Sequence, residues 1–159
     1  MKQAIYPGSF DPVTIGHLNI IQRAARIFDH LTVCVMVNGG KNPMFTLEER
    51  VEFIRRVTRD LPNVEVDSSS ELLAEYARRK GSTVIVKGLR AGSDFENEFQ
   101  MAMINRKINP DLDTMFLTAE HQYTHLSSSI VKELGRFQVD LTDFLPKEII
   151  PDFCSRIKK

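Results

Sequence analysis

The chain has 159 residues, the length of one compact domain, and 42% of them are hydrophobic, which excludes a disordered protein. Lysine and arginine number 21, and so do aspartate and glutamate, so no net positive charge is present to attract nucleic acid or an anionic membrane. We therefore expect a small anion as the partner, with no nucleic acid and no membrane.

The cysteine usage and the N-terminus predict the compartment. Cys34 and Cys154 lack the spacing of a metal or redox pair and are expected to be reduced thiols. The segment before Pro7 is too short for a signal peptide, and the longest uncharged apolar run, residues 31–37, is too short to span a bilayer. These features predict a cytoplasmic protein.

Apolar runs and helical patterns alternate along the chain. The runs typical of buried strands are residues 4–6, 31–37, 64–66, 83–86 and 114–117. Helical patterns follow at residues 17–28, 47–61, 71–80, 94–109 and 128–137, and a weaker one begins at residue 147 and is interrupted at Pro151. Strands that alternate with helices imply right-handed crossovers. The sequence predicts one doubly wound, Rossmann-like α/β domain over residues 1–159, with a five-stranded parallel sheet flanked by helices.

Several helix boundaries carry capping signals. Thr46 and Glu49 form a capping box, Ser70 is the predicted cap of the third helix, and Gly81 is its predicted end. A serine within residues 127–129 is expected to cap the helix that follows.

Ligands of such sheets bind beyond the carboxyl ends of the strands. The polar or small-residue segments there are 7–17, 38–45, 87–94 and 118–129. In the first, Gly8 and Ser9 follow a strand, and Gly16 and His17 stand at a helix start, where free N–H groups and the helix dipole favour a phosphate. His17 adds a donor that can follow charge developing on a phosphoryl group. The chain has neither a P-loop nor a G-x-G-x-x-G motif, which disfavours a dinucleotide oxidoreductase.

The other three segments offer further anion-binding groups. Lys41 can reach an anion as a mobile charge, and Lys87 and Arg90 can flank a triphosphate. Serines 127–129 suit a second phosphate contact, although each of these residues alone is also compatible with a surface or capping role. His121 and His125 are four residues apart but lie in a predicted loop without a third ligand, so we predict no metal held by side chains.

The segment PGSFDPVTIGH, residues 7–17, resembles the first signature of the nucleotidylyltransferase superfamily, and in particular of the bacterial phosphopantetheine adenylyltransferases. KNPMFTLEER, VKGLRAGSDFENEFQMAMINR, and YTHLSSSIVKEL before DFLP agree in order and spacing, so the resemblance covers nearly the whole chain. It implies a single nucleotidylyltransferase domain over residues 1–159. It also implies transfer of the adenylyl group of ATP to 4′-phosphopantetheine, giving dephospho-coenzyme A and pyrophosphate, by direct in-line attack without a covalent enzyme intermediate.

The resemblance also implies roles for individual residues. His17 would stabilise the transition state, and the acceptor substrate would contact Ser9, Lys41, Leu73 and Lys87. ATP would contact Ser9, Phe10, His17, Gly88, Leu89, Arg90, Glu98, Tyr123, Thr124, His125, Leu126, Ser127, Ser128 and Ser129. Most members carry arginine where this chain has Lys87, which keeps the charge but lacks the planar two-point grip on phosphate.

The same resemblance suggests a homohexamer and feedback binding by coenzyme A. We expect Mg²⁺ to arrive with ATP and to bridge its phosphates, because the sequence has no clustered carboxylates to hold it.

Two alternatives remain open. One is an adenylyl- or cytidylyltransferase for another phosphorylated acceptor, such as nicotinate mononucleotide or a sugar or glycerol phosphate. The other is a non-catalytic nucleotide- or flavin-binding module. The serine run 127–129 favours the pantetheine branch over the first. The convergence on one rim of His17, Lys41, Lys87 and Arg90 favours an enzyme over the second.

Overall fold

A five-stranded sheet forms the centre of the molecule. The computed structural model describes residues 1–37, 39–40, 42–90 and 92–158. The strands are β1 (Gln3–Gly8), β2 (His30–Met36), β3 (Val64–Ser69), β4 (Val84–Leu89) and β5 (Asp113–Thr118). They lie in the order β3-β2-β1-β4-β5, and every neighbouring pair is parallel. The predicted parallel sheet is therefore confirmed.

Helices connect the strands and cover the sheet. In the described ranges they are α1 (Ile15–Ile27), α2 (Leu47–Val57), α3 (Leu73–Lys80), α4 (Gly92–Ile108), α5 (Ser128–Arg136) and α6 (Ile150–Ile157). Single 3₁₀ turns occur at His121–Tyr123 and Lys147–Ile149. None of the helices in these ranges has the length and apolar character needed to cross a membrane.

Both faces of the sheet are packed. The larger apolar cluster joins one face, which includes Val33 and Val35, to α1, α2, α5 and α6. A smaller cluster joins Ile5, Cys34 and Ile85 to α3 on the opposite face. Because successive side chains of a strand point to opposite faces, the uninterrupted apolar run of β2 supplies both clusters.

The strand order reverses between β1 and β4. The chain moves outward from β1 to β2 and β3, and then returns to the other side of β1 as β4 and β5. The connections that leave β1 and β4 therefore diverge, which opens a crevice beyond Gly8 and Leu89, the last residues of these strands.

Two of the predicted caps are confirmed, and a third is wrong. Thr46 and Glu49 form a capping box at α2, and α3 ends at Gly81, which adopts the left-handed conformation with φ of 71°. Ser70 does not cap α3, because the helix begins later, at Leu73. The neighbouring Ser69 instead accepts a hydrogen bond at its Oγ from the amide of Glu71 at 3.0 Å, which forms a local turn before the helix.

The C-terminal segment also differs from expectation. Pro151 lies in the first turn of α6 and does not interrupt it, because the first turn of a helix requires no amide hydrogen bond from that residue. Helix α6 packs against α5 at Gly135. A methyl group at Gly135 would lie 2.6 Å from Cε1 of Phe153, a fully buried residue with 0% exposure.

We expect Gly135→Ala to lower the free energy of unfolding by about 1–2 kcal/mol. Overpacking typically destabilises by 1–3 kcal/mol and here outweighs the gain of about 1 kcal/mol in helix propensity. Urea denaturation followed by circular dichroism measures the change. Gly39→Ala is the control, because a methyl group there would meet no atom within 4 Å. Stabilisation by Gly135→Ala would contradict the close contact between α5 and α6.

Candidate functional site

A cavity of about 400 Å³ lies in the crevice between β1 and β4. Its wall includes Ser9, Phe10 and His17 from the first loop and α1. The end of β4 and helix α4 contribute Lys87, Gly88, Arg90 and Glu98. The segment that leads into α5 contributes Tyr123, Leu126, Ser127 and Ser128. The structure thus brings together residues that were predicted from three separate segments of the sequence.

Other predicted residues lie elsewhere. Lys41 is outside the described residues. Leu89, Thr124, His125 and Ser129 do not line the cavity. The hydroxyl of Thr124 donates to the carbonyl of His121 at 2.8 Å and closes a local turn. Each residue of a helix is rotated by about 100° from the last, so Ser128 at the start of α5 faces the cavity while Ser129 is exposed.

His17 is the third residue of α1 and takes part in the capping of that helix. The Thr14 hydroxyl accepts from the His17 amide at 3.2 Å, and the Thr14 amide donates to Nδ1 of His17 at 2.9 Å. A ring nitrogen that accepts an amide hydrogen bond carries no proton, so in the neutral imidazole the proton lies on Nε2. The cap therefore selects the tautomer of His17 and leaves Nε2–H as the free donor.

The ring of His17 is also held by packing. It contacts the ring of Phe10 edge to face, with 5.0 Å between centroids, and Phe10 in turn contacts Tyr6 at 5.2 Å. Phe10 is buried and has a positive φ of 47°, which is unusual for a non-glycine residue. A Cβ at Gly8 would lie 3.0 Å from the Phe10 ring, so a larger residue there would require this buried ring to shift.

The electrostatic environment keeps His17 neutral. The pKa of His17 is lowered from 6.5 to about 4, chiefly because the ring is shielded from water, and further because Arg90 and Lys87 place positive charge near it. The free protein thus presents an uncharged imidazole with Nε2–H available near neutral pH.

Each cation at the end of β4 is paired with a carboxylate of α4. Lys87 Nζ lies 3.4 Å from Glu98 Oε2. Arg90 donates from Nε to Asp94 Oδ2 at 2.9 Å and from Nη1 to the Leu126 carbonyl at the same distance. These pairs hold the two cations at the cavity wall in the absence of an anion.

Two helices begin at this cavity. Thr14 caps α1, and Ser127 caps α5 by accepting from the amide of Ile130 at 3.2 Å, as predicted for one of the three serines. Ser128 Oγ donates to the Pro12 carbonyl at 2.8 Å and joins the two helix starts. The positive ends of two helix dipoles thus converge beside Lys87 and Arg90, an arrangement that suits a polyphosphate.

A second, smaller cavity of about 120 Å³ adjoins the first. Lys87 and Glu98 line both cavities, so their ion pair separates the two. Leu73, which was predicted to contact the acceptor, lines the smaller cavity together with Ile85 and Met101. Its remaining wall includes Asn105 and Thr114, so both apolar and polar side chains line this cavity.

Thr14 and Asp94 also line the cavity, although no role at the site was expected for either residue. Thr14 could have been found from its position three residues before His17, the spacing of a capping box with histidine in place of glutamate. Asp94 lies four residues after Arg90 and four before Glu98, which places both carboxylates on one face of α4. Within the described ranges, no group of three or more His, Cys, Asp or Glu side chains could hold a metal ion.

Comparison with known proteins adds independent findings. Residues 5–134 match the family described as cytidylyltransferase-like. A phosphopantetheine adenylyltransferase of Caldanaerobacter subterraneus subsp. tengcongensis is 50% identical over 159 residues, which is 100% of this chain and 99% of that protein. The phosphopantetheine adenylyltransferase of Alkaliphilus metalliredigens is 54% identical over 150 residues, which is 94% of this chain and 96% of that protein.

A solved structure shows a similar fold at low sequence identity. It is the bifunctional NMN adenylyltransferase/ADP ribose pyrophosphatase of Francisella tularensis, determined with AMP and a manganese ion. The TM-score is 0.74 at 12% identity, and the alignment covers 99% of this chain and 49% of that one.

The depressed pKa of His17 predicts a pH effect on stability. Between pH 6.5 and about 4 the unfolded chain takes up a proton at His17 while the folded protein does not, so the free energy of unfolding falls as the pH falls. His17→Gln should reduce this dependence when urea denaturation is compared at pH 7, 6 and 5. His121→Gln, which removes an exposed imidazole, is the control. A His17 ring that titrates above pH 6 by NMR would contradict the prediction.

Proposed function

The chain belongs to the cytidylyltransferase-like family and, within it, to the phosphopantetheine adenylyltransferases, and on this basis we propose that it transfers the adenylyl group of ATP to 4′-phosphopantetheine. The products are dephospho-coenzyme A and pyrophosphate, in coenzyme A biosynthesis. The observation that carries the proposal is the cavity at which two helix N-termini meet His17, Lys87 and Arg90.

The two adjoining cavities suggest how the substrates are arranged. The triphosphate of ATP would lie in the larger cavity, against the starts of α1 and α5 and beside Arg90. The pantetheine arm, which carries two amide groups, a hydroxyl and a thiol, would extend toward the smaller cavity beside Leu73, where Asn105 and Thr114 offer polar partners. Its phosphate would then lie near Lys87, at the boundary between the two cavities, with Ser9 and Lys41 as further contacts.

The reaction needs positioning more than acid–base chemistry. An oxygen of the acceptor phosphate attacks the α-phosphorus in line, the new P–O bond forms, and the bond to the bridging oxygen of pyrophosphate breaks. The nucleophile is already an anion, so no general base is required. Holding both phosphates in attack geometry can supply about 7–11 kcal/mol of the barrier.

His17 is proposed as the donor that stabilises the transition state. Its Nε2–H, which the Thr14 cap keeps protonated, would donate to a non-bridging oxygen of the α-phosphoryl group as negative charge builds there. A preorganised donor of this kind typically contributes about 3–4 kcal/mol. Glu98, Tyr123 and Leu126 would contact the nucleoside part of ATP.

We propose that Mg²⁺ enters bound to ATP, where it would neutralise negative charge on the departing pyrophosphate. The cavity carboxylates that the structure describes, Asp94 and Glu98, pair with Arg90 and Lys87 in the free protein. A magnesium ion carried by the nucleotide needs no preformed cluster of protein ligands.

The proposal extends to assembly, regulation and location. We propose a homohexamer, supported by exposed apolar residues along α4, namely Phe95, Phe99, Met101, Met103, Ile104 and Ile108. Coenzyme A, which contains both product and acceptor chemistry, would bind the same site as a feedback ligand. A cytoplasmic location is supported by the free thiols of Cys34 and Cys154.

Sedimentation equilibrium tests the assembly. A mass of six chains is expected, because exposed apolar surface of this kind is usually buried in an interface. Replacing Phe99 and Met103 with glutamate should shift the mass toward a smaller species. A wild-type mass of one chain would contradict the proposal.

Pyrophosphate release tests the function. We expect release with ATP, Mg²⁺ and 4′-phosphopantetheine, because the relatives that are 50% and 54% identical to this chain are phosphopantetheine adenylyltransferases. Parallel reactions contain nicotinate mononucleotide, glycerol phosphate or no acceptor. Release only with one of the other acceptors would show that this other compound is the acceptor substrate. Binding of ATP without release of pyrophosphate would favour a non-catalytic binding module.

His17→Ala should lower kcat by about 100-fold or more in this assay and leave the fold intact, because it removes a donor aimed at the transition state. His30→Ala is the matched control, since His30 is the first residue of β2 and lies at the amino ends of the strands, whereas the cavity lies at their carboxyl ends. Near-normal turnover by His17→Ala would refute the assigned role.

A further inference from the structure

Asp11 is a buried carboxylate that the proposed reaction does not use. It lies in the loop between β1 and α1, and only 6% of its surface is exposed. Oδ1 accepts from the Phe45 amide at 2.9 Å, and Oδ2 accepts from the Met44 amide at 2.8 Å and from Lys132 Nζ at 2.8 Å. One side chain thus joins the first loop to the segment before α2 and to α5.

Neighbouring hydrogen bonds connect the same segments. Arg50 donates to the carbonyl of Ser9 at 3.1 Å, and Arg156 donates to the carbonyl of Met44 at 2.7 Å. Both backbone polar groups of Met44 are therefore hydrogen-bonded, the amide to Asp11 and the carbonyl to Arg156. The carboxylate of Asp11 lies at the centre of this arrangement.

Each segment that Asp11 joins carries a predicted phosphate contact. Ser9 is two residues before Asp11, Lys41 is three residues before Met44, and Ser128 is four residues before Lys132. None of these contacts comes from Asp11 itself. A change at Asp11 would therefore alter the relative placement of the three segments without removing a substrate contact.

Stability alone does not account for this group. A buried ion pair is weak evidence for stability, because the desolvation of both charges offsets most of their attraction. The two backbone amides, by contrast, define where residues 44 and 45 lie relative to the first loop. A carboxylate that accepts three hydrogen bonds fixes the orientation of the three donor groups relative to one another.

We propose that Asp11 is a positioning residue for adenylyl transfer, which sets the segment of Met44 and Phe45 and the start of α5 against His17. The expected effect on kcat rests on the proposed function. The expected effect on the placement of the segments rests on the hydrogen bonds of Asp11. Displacement of a reacting group by about 1 Å can lower a rate by about 100-fold, so a displaced segment should impair turnover more than ground-state binding.

Asp11→Asn is the informative variant. It keeps the shape of the side chain but replaces one acceptor oxygen with an amino group, which cannot accept from an amide or from Lys132. We expect kcat to fall at least tenfold, while the Kd for ATP, measured by calorimetry, changes less than threefold. Asp152→Asn is the control, because it removes the Arg56 ion pair of 3.1 Å between α2 and α6 without touching Asp11. It should leave kcat within twofold of wild type.

A second variant separates positioning from general loss of stability. Asp11→Asn strands the charge of Lys132, and adding Lys132→Met removes that charge. We expect the double variant to regain much of any loss in Tm and to remain at least tenfold impaired in kcat. Recovery of both quantities together would overturn the positioning role, and so would an Asp11→Asn protein with kcat within threefold of wild type.

Amide exchange tests the structural part independently of activity. NMR-detected hydrogen exchange at Met44 and Phe45 should be at least tenfold faster in Asp11→Asn than in wild type, and unchanged in Asp152→Asn. Unchanged protection of these two amides would overturn the proposal. If wild-type protein makes no dephospho-coenzyme A although these amides respond as expected, it is the proposed function that fails, and with it the kinetic role of Asp11.

Discussion

The reversal of strand order between β1 and β4 is the constraint on which the rest of the molecule depends. Because β1 lies at the centre of the sheet, its connection through α1 crosses one face, while α4 packs with α3 on the other side. The crevice between them is the place where helix starts and strand ends meet. His17, Lys87 and Arg90 all face this crevice because the backbone directions leave it open.

Hydrogen bonds that end or begin secondary structure also prepare the chemistry. The Thr14 and His17 pair satisfies two amides at the start of α1 and at the same time selects the tautomer of the imidazole. A donor that is held by helix capping and by the Phe10 ring loses little freedom when a ligand arrives. The hydrogen bonds that cap α1 therefore also hold the imidazole of His17 in place for a ligand.

The two described cations of the crevice, Lys87 and Arg90, are paired with carboxylates before any ligand binds. Asp94 and Glu98 neutralise Arg90 and Lys87, so the free protein does not concentrate unpaired positive charge within a partly buried site. An incoming polyphosphate competes with these carboxylates for the cations. The net attraction is then smaller than the cations alone would give, which suits an enzyme that must also release pyrophosphate and a nucleotide-containing product.

The sequence by itself determined the alternation of strands and helices, the parallel sheet, and most of the residues around the crevice. Continuous apolar runs can be satisfied only by strands covered on both faces, and the motif PGSFDPVTIGH places glycine and histidine at a strand–helix junction. Capping patterns such as Thr46 with Glu49 could also be recognised in the sequence, because their hydrogen bonds link residues only three positions apart.

Only the tertiary structure decided which distant groups meet. The contact of Asp11 with Lys132 joins residues that are 121 positions apart in the sequence. The Lys87–Glu98 ion pair lies between two cavities, and only the folded chain creates these cavities. The start of α3 differed from expectation because Ser69 and Glu71 formed a turn that competes with a cap at Ser70. Such choices depend on packing and on the directions of side chains in space, which a linear pattern does not encode.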